Sequence, residues 1–227
     1  MRDWRARAGR GWNPEDASGR IWHGRADVKT LVSTKVSSWT DLTSNARHAT
    51  QGTDAARWVY NASNSNFNNK PTLDATGVNI MATTAWSVIA QPIVYTAVVR
   101  FSSISSKALL DNVTGHNLIQ CTNTTTVQIY DGVKILDSTV PSNKMLNTNI
   151  LTVVFAGASS KVYVNSVLKN TGDAGTNGSE GLLIGEFGQL HLNQFQGSLA
   201  ELMVQNHTGD LPALWSYYSQ YYGIALT

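Results

Sequence analysis

Charge, cysteine and long apolar runs are all scarce in this sequence. Charged residues are 14% of its 227 residues and the formal net charge is +2. Charge this sparse steers the chain weakly toward nucleic acid or an anionic membrane, and the basic excess gathers near the N-terminus. The single cysteine, Cys121, has no partner for an internal disulfide, so packing alone must hold the fold. We read it as a small hydrophobe in a strand. No apolar run approaches the ~20 residues that span a bilayer. Residues 1–12 carry arginines without an apolar stretch behind them, so no secretory signal is read. A protein of this kind acting outside a cell would leave by another route, such as lysis.

Catalytic patterns are equally sparse. Glycoside hydrolysis on a β-sandwich divides acid and nucleophile between two carboxylates flanking one bond. Here Glu180 and Glu186 flank a strand with five residues between them, and Glu201 sits alone between Ala200 and Leu202. Glu201 is read as a structural, hydrogen-bonded residue. The five histidines, His23, His48, His116, His191 and His207, lack metal-ligand spacing. No Gly-x-Ser-x-Gly elbow or phosphate-binding Gly-rich loop occurs. Asp131 and Asp173 lie in turns, but neither belongs to an acidic cluster that supplies several oxygens. Calcium therefore stays open without being indicated, and no cofactor is expected.

What the chain does contain is short strands. Residues 150–155 are β-branched and apolar, and 161–168 form a second strand interrupted at Asn165-Ser166. A loop rich in Gly, Asn and Ser follows, then another apolar strand at 181–185. Residues 93–100 and 126–130 are strand-like, with Asp131-Gly132 as a hairpin turn into 134–140. Over 199–205, alternation puts Ala200, Leu202 and Val204 on one face and Leu199, Glu201, Met203 and Gln205 on the other. One terminal helix is predicted, capped by Asp210, started by Pro212 and stopped by Gly223, with Leu211, Leu214, Tyr218 and Tyr221 or Tyr222 on its packing face. The pattern predicts an all-β sandwich of two antiparallel sheets with a short C-terminal helix.

Several segments carry a resemblance in matching order. They are Val36-Ser-Ser-Trp-Thr-Asp-Leu running on to Gln51, Asn69 to Gly77, Val94 to Arg100, Ser160 to Val167, Gly197 to Asn206 and Tyr217 to Ile224. Together they resemble the laminin-G-like, concanavalin-A-like jelly-roll domains of bacteriophage structural proteins and bacterial surface proteins, over roughly residues 22–226. Thr43-Ser44 and Ser166 depart from the pattern, where the family places Ser-Gly and a turn glycine. An Asn-Ser turn requires either an unfavourable backbone at Ser166 or a different turn type.

The resemblance implies a lectin-like, concanavalin-A-like jelly roll that is not an enzyme: a virion protein of a phage, in the tail or decorating the capsid. It would be present in many copies and would bind host-surface carbohydrate. Aromatic and amide side chains near predicted turns are the glycan-binding candidates: Trp58, Tyr60, Asn112, His116, Tyr130 and His191. A purely structural particle protein and, behind it, a glycan hydrolase are the alternatives. Residues 1–20 form an N-terminal arm ahead of the 21–227 domain. Trp4, Arg5, Arg7, Arg10 and Trp12 are residue types with large contact energies, so the arm is expected to dock on another virion subunit, the other reading being a disordered tail. No nucleic-acid partner is expected.

Overall fold

The computed structural model describes residues 12–114, 117–132, 135–188 and 193–226. The first strands are β1 (Arg20–Arg25), β2 (Lys29–Val32), β3 (Lys35–Trp39), β4 (Ala49–Thr50), β5 (Val59–Asn64), β6 (Lys70–Thr76) and β7 (Met81–Ala82). The middle of the chain supplies β8 (Ile93–Phe101), β9 (Lys107–Asp111), β10 (Leu118–Asn123), β11 (Thr126–Tyr130) and β12 (Ile135–Thr139). The last strands are β13 (Asn149–Phe155), β14 (Ser160–Val164), β15 (Val167–Gly172), β16 (Leu183–Ile184) and β17 (Gln196–Gln205), and α1 (Leu211–Tyr222) follows.

The strands pair antiparallel into one hydrogen-bonded sheet that curls almost closed. One flank runs β5-β6-β17-β8-β13-β14-β15, with β1 beside the second half of β17. The other runs β3-β4-β7-β16-β9-β10-β11-β12. β3 also pairs with β2 and β5, which joins the flanks. At the opposite seam Asn170 Nδ2 donates to the Asp137 carbonyl at 2.7 Å, bringing β15 to β12. The expectation of two separate sheets is corrected accordingly, because β3 belongs to both flanks and the ladder never breaks between them.

Two apolar layers fill the fold. Inside the curl, Trp22 and Trp39 meet edge to face at 5.1 Å, and Trp58 stacks on Phe195 at 5.4 Å. Inward residues of β8 and β13, among them Tyr95, Val99, Leu151 and Phe155, complete this core. Cys121 lies in it, and burial pushes its thiol well above the ordinary range. The outward residues Val94, Val98, Ile150 and Val154 are buried as well, under Leu211, Leu214, Tyr218 and Tyr222 of α1. β8 and β13 therefore read as continuous apolar runs, as strands covered on both faces do. Burying each such side chain contributes about 1.5–3 kcal/mol.

Four local expectations change or sharpen. The alternation in β17 is broken by a bulge between Leu199 and Glu201, so Leu199 joins Leu202 and Val204 in the inner core while Ala200 faces α1 with Met203. The Asp131-Gly132 turn is not a two-residue hairpin: only Gly132 of the pair has positive φ (78°), and the Asp131 side chain is buried. Asp210 precedes α1 without capping it, since its carboxylate accepts from Ser18 N at 2.7 Å. In the Asn165-Ser166 turn both residues adopt positive φ, 50° and 71°, the unfavourable backbone rather than another turn type.

The end of the arm within the described residues packs on its own domain. Ala17 is buried in the layer beneath α1, and Trp12 packs half-buried against that layer.

Candidate functional site

At one end of the curl a buried polar network ties the loops together. Its centre is Asp131, which follows β11 and is sealed from solvent. Asn117 Nδ2 donates to Asp131 Oδ1 at 2.7 Å, and Gln91 Nε2 donates to Asp131 Oδ2. Gln91 Nε2 also reaches the carbonyls of Gly175 and Asn177 at 3.1 and 2.9 Å, while Gln91 Oε1 accepts from Gly157 N at 2.6 Å. The Tyr95 hydroxyl bridges Asn117 Oδ1 (3.1 Å) and Ser179 Oγ (3.0 Å). Burial raises the Asp131 carboxyl to about 7, against the hydrogen bonds from Gln91, Asn117 and Asn177 that favour its anion. Burial likewise pushes the Tyr95 hydroxyl upward. A carboxyl without solvent access cannot exchange protons with a substrate, so the network is scaffolding for the loops around it.

Asn112 is the link to the surface. Its Nδ2 donates to Asn117 Oδ1 and to the Gly178 carbonyl (3.3 and 3.2 Å). Its Oδ1 accepts from both the backbone N and the hydroxyl of Thr114 (3.0 and 2.9 Å), an Asx turn that fixes the chain after β9.

Thr114 borders an open cleft of about 640 Å³. The apolar part of its wall is Ala82 of β7, Leu183 of β16, Ile80 and Val113. Polar groups on the same wall are Thr83, Thr114 and Glu186. Thr83 Oγ1 accepts from Leu182 N at 2.9 Å, which leaves its proton for a ligand. Thr114 Oγ1 spends its proton on Asn112, which leaves its lone pairs. Ala85 completes the rim, and the next residue, Trp86, is half-buried with the Arg47 guanidinium 4.7 Å over its ring. Hydroxyls of both polarities beside an apolar surface suit a polyhydroxylated ligand. Among the described lining residues Glu186 is the one carboxylate, so the wall holds no pair that divides acid and nucleophile roles. Among the described residues no group of three or more His, Cys, Asp or Glu could hold a metal ion.

The described residues among those singled out by sequence do not converge. Asn112 lies beside the cleft. Trp58 is fully buried, so its ring offers no face to a ligand. Tyr60 is half-buried on β5 with Lys29 Nζ 3.5 Å above its ring, and Tyr130 ends β11 opposite Leu118 and Ile135. His116 and His191, and the arm residues Trp4, Arg5, Arg7 and Arg10, lie outside the described residues. Sequence reasoning passed over Trp86, which is set among Ala, Thr and Ser, because it selects only aromatics near predicted turns, such as Trp58.

Solved structures share the fold. Domain 4 of the extracellular arabinanase AbnA from Geobacillus stearothermophilus, solved with arabinotriose, superposes with a TM-score of 0.60 at 15% identity, covering 90% of this chain and 98% of that domain. The Trypanosoma rangeli sialidase in complex with sialic acid superposes with a TM-score of 0.56 at 13% identity, over 90% of this chain and 33% of that one. This chain thus spans about a third of the sialidase. At these identities the likeness is one of fold alone, an all-β domain. The sequence matches no protein-family profile, and no curated protein matches it.

Proposed function

We propose that this chain is a non-enzymatic, lectin-like carbohydrate-binding domain whose ligand occupies the cleft beside Thr83, Thr114 and Glu186. The observation that carries this reading is the cleft itself: hydroxyl donors and acceptors beside an apolar wall, on loops pinned by the Asp131 network. The arabinanase domain of like fold, solved with arabinotriose, supports a sugar as the ligand. Within this reading the curled sheet is a concanavalin-A-like jelly roll whose two layers meet through β3. The motif order that resembles phage structural proteins supports a virion setting, with the arm joining the domain to neighbouring subunits.

The test is calorimetric titration with arabinotriose and with sialyllactose, each mixture then analysed for cleavage products. Saturable binding without cleavage is expected, weakened about tenfold or more, at least 1.4 kcal/mol, by Ala85→Trp, which fills the exposed rim. Release of shortened sugars would establish a hydrolase. Absence of binding to either sugar, with assembly into particles that depends on residues 1–20, would establish the purely structural role.

A further inference from the structure

A second groove, of about 440 Å³, runs between α1 and the outer faces of β13 and β14. Val154, Ala156 and Leu211 form its apolar part. Tyr163 and Trp215 stand together on its wall, their ring centroids 5.1 Å apart and their planes inclined by 47°. Trp215 is held in place because its indole Nε1 donates to Thr152 Oγ1 at 3.0 Å. Lys161 also lines the groove, and among the described residues neither its ammonium nor the Tyr163 hydroxyl has a partner. Asp210, the acid next to the groove residue Leu211, is turned to Ser18 N and does not neutralise Lys161.

We infer that this groove is a binding site for an acidic sugar, a hexuronate unit, distinct from the cleft. An anchored pair of half-buried aromatic rings offers a surface for the C–H face of a pyranose. A free ammonium at the same groove supplies the complement for a ring carboxylate, and the unpaired Tyr163 hydroxyl can donate to or accept from a ring hydroxyl. The volume lies in the range of small-ligand sites and accommodates one or two sugar rings. A neutral sugar leaves the ammonium without a partner, so the site discriminates by charge.

The experiment is an NMR titration of the full chain with α-1,4-digalacturonate and, in parallel, with neutral galactobiose. The Trp215 indole N–H signal is assigned by its loss in Trp215→Phe. Digalacturonate is expected to shift that signal saturably, and galactobiose to leave it unmoved at the same concentrations. Lys161→Gln should weaken digalacturonate binding about tenfold and Lys161→Arg should restore most of it, while Ala85→Trp in the cleft leaves it unchanged. Lys161 is partly exposed at the groove, so its variants are expected to fold, which the unchanged amide spectrum verifies. Equal shifts by both sugars, indifference to Lys161→Gln, or no saturable shift at Trp215 would each overturn the assignment.

Discussion

His23 Nε2 lies 2.7 Å from Glu201 Oε1, and neither side chain reaches solvent. The same carboxylate accepts from the Tyr218 hydroxyl at 3.2 Å through Oε1 and from the Tyr222 hydroxyl at 2.8 Å through Oε2. β1, β17 and α1 are thereby joined at one buried carboxylate. Burial, reinforced by the Glu201 charge, holds both tyrosine hydroxyls well above their ordinary range, so they remain donors. Glu201 is therefore the clasp of the terminal helix, with partners 178, 17 and 21 residues away; the sequence suggests a structural hydrogen-bonded residue at a sheet edge or loop, whereas it sits on β17 between β1 and β8.

Replacing Glu201 tests the clasp. Glu201→Ala strands three buried donors, each costing about 1–3 kcal/mol, and a loss of about 3–5 kcal/mol is expected from the midpoint of urea unfolding. Glu201→Gln keeps one acceptor oxygen and should lose about half as much. Equal losses in the two variants would show that side-chain shape, and not the acceptor, is what matters.

Asp131 makes stability depend on pH. Its carboxyl is raised from the ordinary 3.8 to about 7 in the folded state, so between those values the native chain binds a proton that the unfolded chain releases. Stability then falls as pH rises. This contribution is fully present below about pH 4 and is lost as pH climbs through about 7. Melting temperatures of the wild type should decline across that window relative to those of Asp131→Asn, which has no proton to lose there. A constant difference between the two across pH 4–7 would show that the network carries the ionised carboxylate throughout.

Gly175 is the backbone position on which the network depends. Its φ is +107°, and a Cβ there would lie 2.3 Å from the Asp131 carbonyl oxygen. Gly175→Ala must therefore displace the loop that carries the acceptor carbonyls of Gln91. A loss of order 1–3 kcal/mol is expected, together with faster amide hydrogen exchange over 173–180 and weaker sugar binding at the cleft. An unchanged melting temperature would mean that this loop does not secure the end of the curl.

Strand positions and the helix were legible because they rest on local pattern. The β-branched run at 150–155 and the aromatic spacing of α1 required only periodicity. The continuous sheet was not legible, since it depends on β3 pairing with three other strands, a property of assembly that no single segment encodes. The β17 bulge was hidden for a related reason: strict alternation assigns Leu199 and Glu201 to one face, and only pairing with β8 reveals the extra residue. For the site, Asn112 is singled out in the sequence as lying near a predicted turn, and the structure places it buried beside the cleft, bonded to Thr114. Trp58 misled because an aromatic near a turn looks the same whether it points outward or into the core; Trp86 lies between the two outcomes, half-buried against the core with its indole N–H on the Ser179 carbonyl.

Ser166 occupies a turn position that favours glycine. Its φ of 71° follows Asn165 at 50°, and Asn165 is locked there because its Oδ1 accepts from Ile150 N at 2.9 Å and its Nδ2 donates to Asn149 Oδ1 at 3.1 Å. Asn165 thus sets the turn between β14 and β15, and Ser166 bears the left-handed backbone cost of about 1–2 kcal/mol. Glycine removes that cost but adds about 0.5–1 kcal/mol of unfolded-state entropy. Ser166→Gly should therefore stabilise the fold by about 0.5–1 kcal/mol, seen as a higher urea midpoint with an unchanged slope. Asn165→Gly should do the reverse, because it also deletes two buried hydrogen bonds. If Ser166→Gly lowered the midpoint instead, the serine side chain rather than the backbone would be what holds this hairpin.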